Sequence, residues 1–272
     1  MSGYIGRIAP TPSGELHLGH ASTFLVAASR SREARGHLLL RLEDLDSARC
    51  STEFVQTAVQ DLAWLGIPYH GEIMFQSQRR AFYIAAWRSL RDAGLIYPCS
   101  RSRSDVAASS LAPHEEDPIF PPEWRNDSHS ALSYDGPSGT NWRFRVPDYL
   151  DITFQDGRLG AVTRRALRDF GDFLVWNRHD VPAYELAVVV DDIASGITEI
   201  VRGEDLLTST SRQILLYRAF TAAPPRFFHT PLICDTAGKR LSKRCGPLSL
   251  RAFRESGLSP WDIPSLAALA ES

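Results

Sequence analysis

The first hundred residues alternate between two periodicities, and that alternation limits the fold more than any other feature. Tyr4 to Ala9 is an apolar segment of strand length, closed by Pro10 and the turn formers Ser13-Gly14. Ala21 to Arg35 then shows helical spacing (Leu25, Ala28, Ser29, Arg32) and stops before Gly36. His37 to Leu42 reads as a second strand, followed by the acidic run Glu43-Asp44-Leu45-Asp46. Thr52 to Leu65 is amphipathic through Phe54, Val55, Ala58, Val59, Leu62 and Leu65, and Arg79 to Ala93 is a third helix ending at Gly94. Strand, helix, strand, helix requires crossovers, so the expected class is α/β with a doubly wound, Rossmann-like parallel sheet.

The pattern breaks between Cys99 and Gly171. Asp117-Pro-Ile-Phe-Pro-Pro, Asp135-Gly-Pro-Ser-Gly and the acids Glu115 to Asp117 read as loops of a small α+β insertion, with strands at Trp142–Val146 and Asp151–Phe154. Its expected core is Phe120, Trp124, Trp142 and Phe144. The α/β pattern resumes at Asp172 and runs through Ala183–Val190 and Ile197–Val201. A helix over 208–221 and a strand around Pro231–Cys234 follow. The expected organisation is a catalytic domain at 1–98 and 172–247, an insertion at 99–171, and a short helical tail at 248–272 divided by Pro260 and Pro264.

With 43% hydrophobic and 23% charged residues, disorder and low-complexity scaffolding are excluded. A net charge of −2 excludes a uniformly basic nucleic-acid coat. Cys50, Cys99, Cys234 and Cys245 show no CxxC or pairing rhythm, which argues against a disulfide framework. No segment has the length of a membrane span, and the N-terminus lacks an apolar leader, so a cytoplasmic protein is expected. Of the 30 basic residues only Lys239 and Lys243 are lysines, and they share one five-residue window.

Two constellations carry chemistry. Arg7-Ile-Ala-Pro-Thr-Pro-Ser-Gly-Glu-Leu-His-Leu-Gly-His20 joins the first strand to the first helix, where doubly wound folds bind nucleotides. His17 and His20, three apart, point the same way, and Gly19 removes a side chain that would hold a nucleotide at a distance. Imidazoles there can donate to phosphoryl oxygens as charge develops. The second is Lys239-Arg-Leu-Ser-Lys243-Arg between Gly238 and Gly246, a hinged basic loop of the kind that closes over a triphosphate. Each alone also fits an ordinary helix start or a solvated basic loop.

Together they resemble the HIGH and KMSKS signatures of class I aminoacyl-tRNA synthetases. With Leu40-Arg-Leu-Glu-Asp-Leu-Asp, Tyr184-Glu-Leu-Ala-Val-Val-Val-Asp-Asp and Ile200-Val-Arg-Gly-Glu-Asp-Leu-Leu, residues 4 to 245 resemble the glutamyl-tRNA synthetase lineage. Within it they resemble the truncated subfamily of glutamyl-Q tRNA(Asp) synthetases. The resemblance implies a glutamate site made of Arg7, Ile8, Ala9, Pro10, Thr11, Glu43, Tyr184 and Arg202. It implies ATP contacts at His17, Gly19, His20 and Lys243, with His17, His20 and Lys243 catalytic. The implied reaction is tRNA-independent activation of L-glutamate by ATP with Mg2+, then transfer to queuosine in the anticodon of tRNA(Asp), by a monomer. The alternative is a shortened enzyme charging the 3′ end of tRNA(Glu).

Arg101, Arg103, Arg164, Arg165 and Arg168 are candidate RNA phosphate contacts. The subfamily's zinc site has only its first ligand matched, by Cys99. Its second position is Arg101, and His114 and His129 do not complete a set, so no zinc is expected and Cys99 reads as a packed thiol. The 28 residues after Arg244 are too few for an anticodon-binding domain.

Overall fold

A computed structural model describes residues 3–102, 105–106, 118–232 and 249–263. In chain order its elements are β1 (Ile5–Ile8), α1 (Leu18–Glu33), β2 (His37–Leu42), α2 (Thr52–Trp64), β3 (Met74–Phe75), α3 (Arg80–Asp92), β4 (Ile96–Cys99), β5 (Asn141–Phe144), β6 (Asp151–Asp156), β7 (Gly160–Arg165), β8 (Phe173–Trp176), α4 (Tyr184–Ala194), β9 (Glu199–Gly203), α5 (Leu207–Ala219), β10 (Arg226–Thr230) and α6 (Leu250–Glu255). They fall into two compact units. One comprises Met1–Gln78, Gly196–Asp205 and Pro225–Ser272; the other comprises Arg79–Ser195 and Leu206–Pro224.

The first unit is the α/β part. Parallel β1, β2 and β3 pair in that order, with Ile5 opposite His37 and Arg41 opposite Met74. On the other edge of β1 lies β9, joined by the bond from Thr198 N to Ile5 O (2.8 Å), and β9 pairs in parallel with β10. The first strand is therefore flanked by β2, which follows it, and by β9, from far along the chain. In doubly wound folds a strand flanked in this way marks the switch point at whose carboxyl end ligands bind. Leu38, Leu40 and Leu42 pack with Phe24, Ala27, Ala58, Leu62 and Leu250 in one apolar core.

The second unit holds antiparallel β4-β5-β8, the β6–β7 hairpin, and α3, α4 and α5. The four aromatics expected to form one insertion core divide instead. Phe120 and Trp124 meet edge to face and pack with Tyr97, Cys99 and Val106. Trp142 stands edge-on to Trp87 of α3, and Phe144 stacks on Phe173 of β8. The reason lies in pairing: β5 sits between β4 and β8, so its side chains meet residues from outside the inserted stretch. Asp172 anchors the region, accepting from Arg125 Nε (2.8 Å) and Nη2 (2.8 Å), Val146 N (2.9 Å) and the Tyr97 hydroxyl (2.6 Å).

A strand lies at Arg226–Thr230, and Pro231, which has no N–H to donate, follows its end; of the strand expected around Pro231–Cys234, the second half lies outside the described residues. Cys234, the Lys239–Lys243 loop with Gly238 and Gly246, Arg103, His114, the acids 115–117 and the tail beyond Ile263 lie outside the described residues.

Candidate active site

The loop leaving β1 is sewn to the loop leaving β2. Glu43 N donates to Pro10 O (3.0 Å), and Ser51 N donates to Pro12 O (3.3 Å). Ile8 and Pro10 are buried and Thr11 is exposed, so Ile8 to Thr11 pass from core to surface beside Glu43.

At the end of that loop His17 caps α1 with extended backbone angles. Its Nδ1 accepts from Gly19 N (3.1 Å), while His20 Nδ1 accepts from His17 N (3.2 Å), a reciprocal capping box built from two imidazoles. The rings lie 3.9 Å apart between centroids, both half-buried. A Cβ on residue 19 would stand 3.0 Å from His17 Cε1 and 3.1 Å from its Nδ1. The space that glycine leaves is thus taken up by the His17 ring, a tighter reason for Gly19 than clearance for a nucleotide. No acid sits in the first turn, so the helix supplies no carboxylate of its own against its positive end.

Among the described residues three arginines are buried in this unit: Arg7 of β1, Arg41 of β2 and Arg202 of β9, at 6%, 2% and 4% exposure. Arg7 Nη1 donates to Val201 O (3.0 Å), which seats it beside the backbone of Arg202. The Arg202 Nε–H points to His229 Nε2 at 3.4 Å. Arg41 Nη2 reaches Glu43 Oε1 at 3.3 Å, an ion pair at the mouth of β2. Arg41 and His229 were absent from the expected site set. A charged residue between Leu40 and Leu42 in a buried strand was the available signal for Arg41; His229 has no local one, since its partner is 27 residues away.

The first unit therefore holds Arg7, Ile8, Ala9, Pro10, Thr11, His17, Gly19, His20, Glu43 and Arg202. Tyr184 opens α4 in the second unit with 36% of its surface exposed. Lys243 lies outside the described residues. Of the arginines expected to meet RNA, Arg165 makes a two-point pair with Asp151 (2.7 Å each), Arg168 pairs with Asp169 (2.8 Å), and Arg101 lies over the Trp124 ring. Cys99 is buried with its Sγ 4.0 Å from Arg101 O. Among the described residues no group of three His, Cys, Asp or Glu is placed to hold a metal ion, and no helix is long and apolar enough to cross a membrane.

Residues 5–270 match the family of class I tRNA synthetases (E and Q), catalytic domain. The glutamyl-Q tRNA(Asp) synthetase of Rhodopirellula baltica is 40% identical over 98% of this chain and 85% of its own length. That of Symbiobacterium thermophilum is 41% identical over 94% and 82%. The glutamate–tRNA ligase 2 of Wolbachia pipientis is 36% identical over 96% of this chain but only 56% of its own. In structure, the glutamate-tRNA synthetase of Elizabethkingia anophelis aligns with a TM-score of 0.76 at 25% identity over 94% of this chain, which spans about half (54%) of that one. With the match running from the first strand into the C-terminal segment, this chain belongs to the class I tRNA synthetases of the glutamate and glutamine group, in their catalytic domain.

Proposed function

We propose that this chain activates L-glutamate with Mg-ATP, without tRNA, and transfers the glutamyl group to the cyclopentenediol of queuosine in the anticodon of tRNA(Asp). The α-carboxylate oxygen attacks the α-phosphorus, the bond to the bridging oxygen breaks, and pyrophosphate leaves. A queuosine hydroxyl then attacks the acyl carbon, AMP departs and the hydroxyl proton is released. No protein nucleophile is needed. In this reading His17, His20 and Lys243 stabilise charge on the phosphates, with Gly19 keeping the imidazoles in place. Arg7 and Arg202 grip carboxylate, Glu43 receives the α-ammonium, Ile8 to Thr11 line the pocket and Tyr184 orients the substrate.

One observation carries the reading: a helix whose first turn holds no acid and whose start is capped by two imidazoles 3.9 Å apart and tilted by 36°, in the same unit as Arg7, Arg202 and Glu43. The choice of acceptor is supported by the names of the relatives that share most of their length with this chain. The same reading has a catalytic layer at 1–98 and 172–247, an insertion at 99–171 that needs no zinc, and a cytoplasmic monomer. The saturated Asp172–Arg125 network and the packed Cys99 support the zinc-free insertion.

Glutamate-dependent exchange of pyrophosphate into ATP, measured without RNA, tests activation; an absolute need for tRNA(Glu) favours the shortened glutamyl-tRNA synthetase instead. Labelled glutamate offered to tRNA(Asp) with and without queuosine tests the acceptor, and equal labelling defeats it. Arg202→Leu is expected to raise the KM for glutamate tenfold or more; an unaltered KM removes Arg202 from the substrate pocket.

A further inference from the structure

Three consecutive residues of the C-terminal segment, 249 to 251, meet three consecutive residues that end on the first histidine of the pair, 15 to 17, in antiparallel order. Ser249 bridges His17, Leu250 N donates to Leu16 O (2.8 Å), and Arg251 Nη1 lies 3.7 Å from Glu15 Oε1. The same Arg251 nitrogen is 3.0 Å from Glu53 in the first turn of α2, and its Nε donates to Glu255 (2.8 Å). One guanidinium thus ties the approach to α1, the start of α2 and α6 together. Further along, Arg254 donates to Asp61 Oδ1 (3.2 Å) and Gln60, and Trp64 Nε1 donates to Leu258 O (3.0 Å). Leu250 is fully buried in the core beside Leu16 and Leu18.

We infer that Arg251 is a positioning residue for His17: by holding Glu15 and Glu53 on one guanidinium it fixes the strand-like approach that sets the imidazole over α1. The inference rests on the activation reading above and extends it to a segment that lies far from the signature in sequence. Its physical basis is the contrast between energy and geometry. Half-exposed ion pairs add only about 0–1 kcal/mol to stability, so losing Arg251 leaves the fold standing. Rate depends on placement far more steeply, since a shift of about 1 Å in a reacting group costs on the order of a hundredfold.

The test uses the full chain and pyrophosphate exchange. Arg251→Gln is expected to lower kcat about tenfold, keep the KM values for glutamate and ATP within about twofold, and barely move the melting temperature. Arg251→Lys, which keeps the charge on a shorter reach, is expected to recover most of the rate. Glu15→Gln removes the link from the other side and is expected to reproduce the loss. An active wild type whose Arg251→Gln and Glu15→Gln variants keep its kcat overturns the inference alone. So does a rate loss that follows the melting temperature and is not rescued by lysine. A wild type inert in exchange overturns the activation reading, and this inference with it.

Discussion

Within the first unit two helices follow two neighbouring parallel strands, yet they begin differently. At α2 the cap is Ser51, whose Oγ accepts from Phe54 N (3.2 Å), with Glu53 in the first turn. Both choices stabilise a helix: the hydroxyl satisfies a free amide and the carboxylate complements the dipole. At α1 the cap is His17, the residue three on is His20, and the first turn carries no acid. Imidazole is not among the preferred caps, and leaving out the acid forgoes a few tenths of a kcal/mol. Where the fold only needs a helix to begin, it uses serine. At α1 the first turn is left without an acid and the cap is an imidazole, a small cost in stability that fits the proposed role of this helix start in receiving an anion.

Making α1 resemble α2 breaks that comparison most directly. His17→Ser supplies a better cap, so the melting temperature is expected to hold or rise. Adenylate formation, followed by pyrophosphate exchange, is expected to fall by roughly 10²–10³-fold, the scale of losing one preorganised donor. Retained turnover would show that the imidazole is only a cap. Gly19→Ala is a gentler version. Alanine favours the helix by up to about 1 kcal/mol, but its Cβ would press on the His17 ring at 3.0 Å, so exchange is expected to slow about tenfold while stability rises. Loss of stability together with activity would mean that the ring cannot give way, and the two effects would no longer separate.

Much of this contrast was legible before any coordinates. β2 and α2 begin where the residues place them, because His37–Leu42 is a bounded apolar run and Thr52 follows a serine cap with helical spacing behind it. The start of α1 was not: spacing suggested Ala21, whereas the helix begins at Leu18, because a histidine cap is no standard start signal. The Ala183–Val190 run is helical, as α4, with its body buried almost all round, so no face periodicity shows in the sequence. Strand β7 has no buried face either; its place is set by pairing with β6, Thr163 opposite Thr153. For the site, residue types and their clustering near β1 and β2 were readable from motif and resemblance. The Arg41–Glu43 pair joins residues two apart in one motif, whereas the Arg202–His229 and Arg251–Glu15 contacts were invisible, since long-range partners leave no mark on local sequence.

The bodies of the two helices differ as well. Helix α2 buries a carboxylate, Asp61, which is fully enclosed and whose Oδ2 lacks a hydrogen-bond partner. Burial pushes its pKa up to about 6 against the pull of Arg254 and Arg251, with Glu15 adding to the rise. A carboxyl that holds its proton more tightly when folded stabilises the fold below its unfolded value, near pH 4. That contribution is lost as pH rises through about 6. The wild type is therefore expected to lose stability relative to Asp61→Asn between about pH 4 and 6, by on the order of 2–3 kcal/mol. Denaturant melts across that window, compared between the two proteins, check it. A difference that stays flat with pH would mean that Asp61 is charged throughout, held by Arg254.

Ser51→Ala completes the comparison from the other side, and its effect is the smallest. Removing the hydroxyl leaves Phe54 N without its cap, and similar deletions cost about 1 kcal/mol. For a chain of this size that lowers the melting temperature by roughly 2–4 °C. Because Ser51 touches the active-site loops only through its backbone bond to Pro12 O, which alanine keeps, kcat and both KM values are expected to stay within about twofold. If Ser51→Ala slowed exchange as much as Gly19→Ala, the two helix starts would not be doing different work, and the case for the imidazole pair as chemistry rather than capping would have to rest on His20 alone.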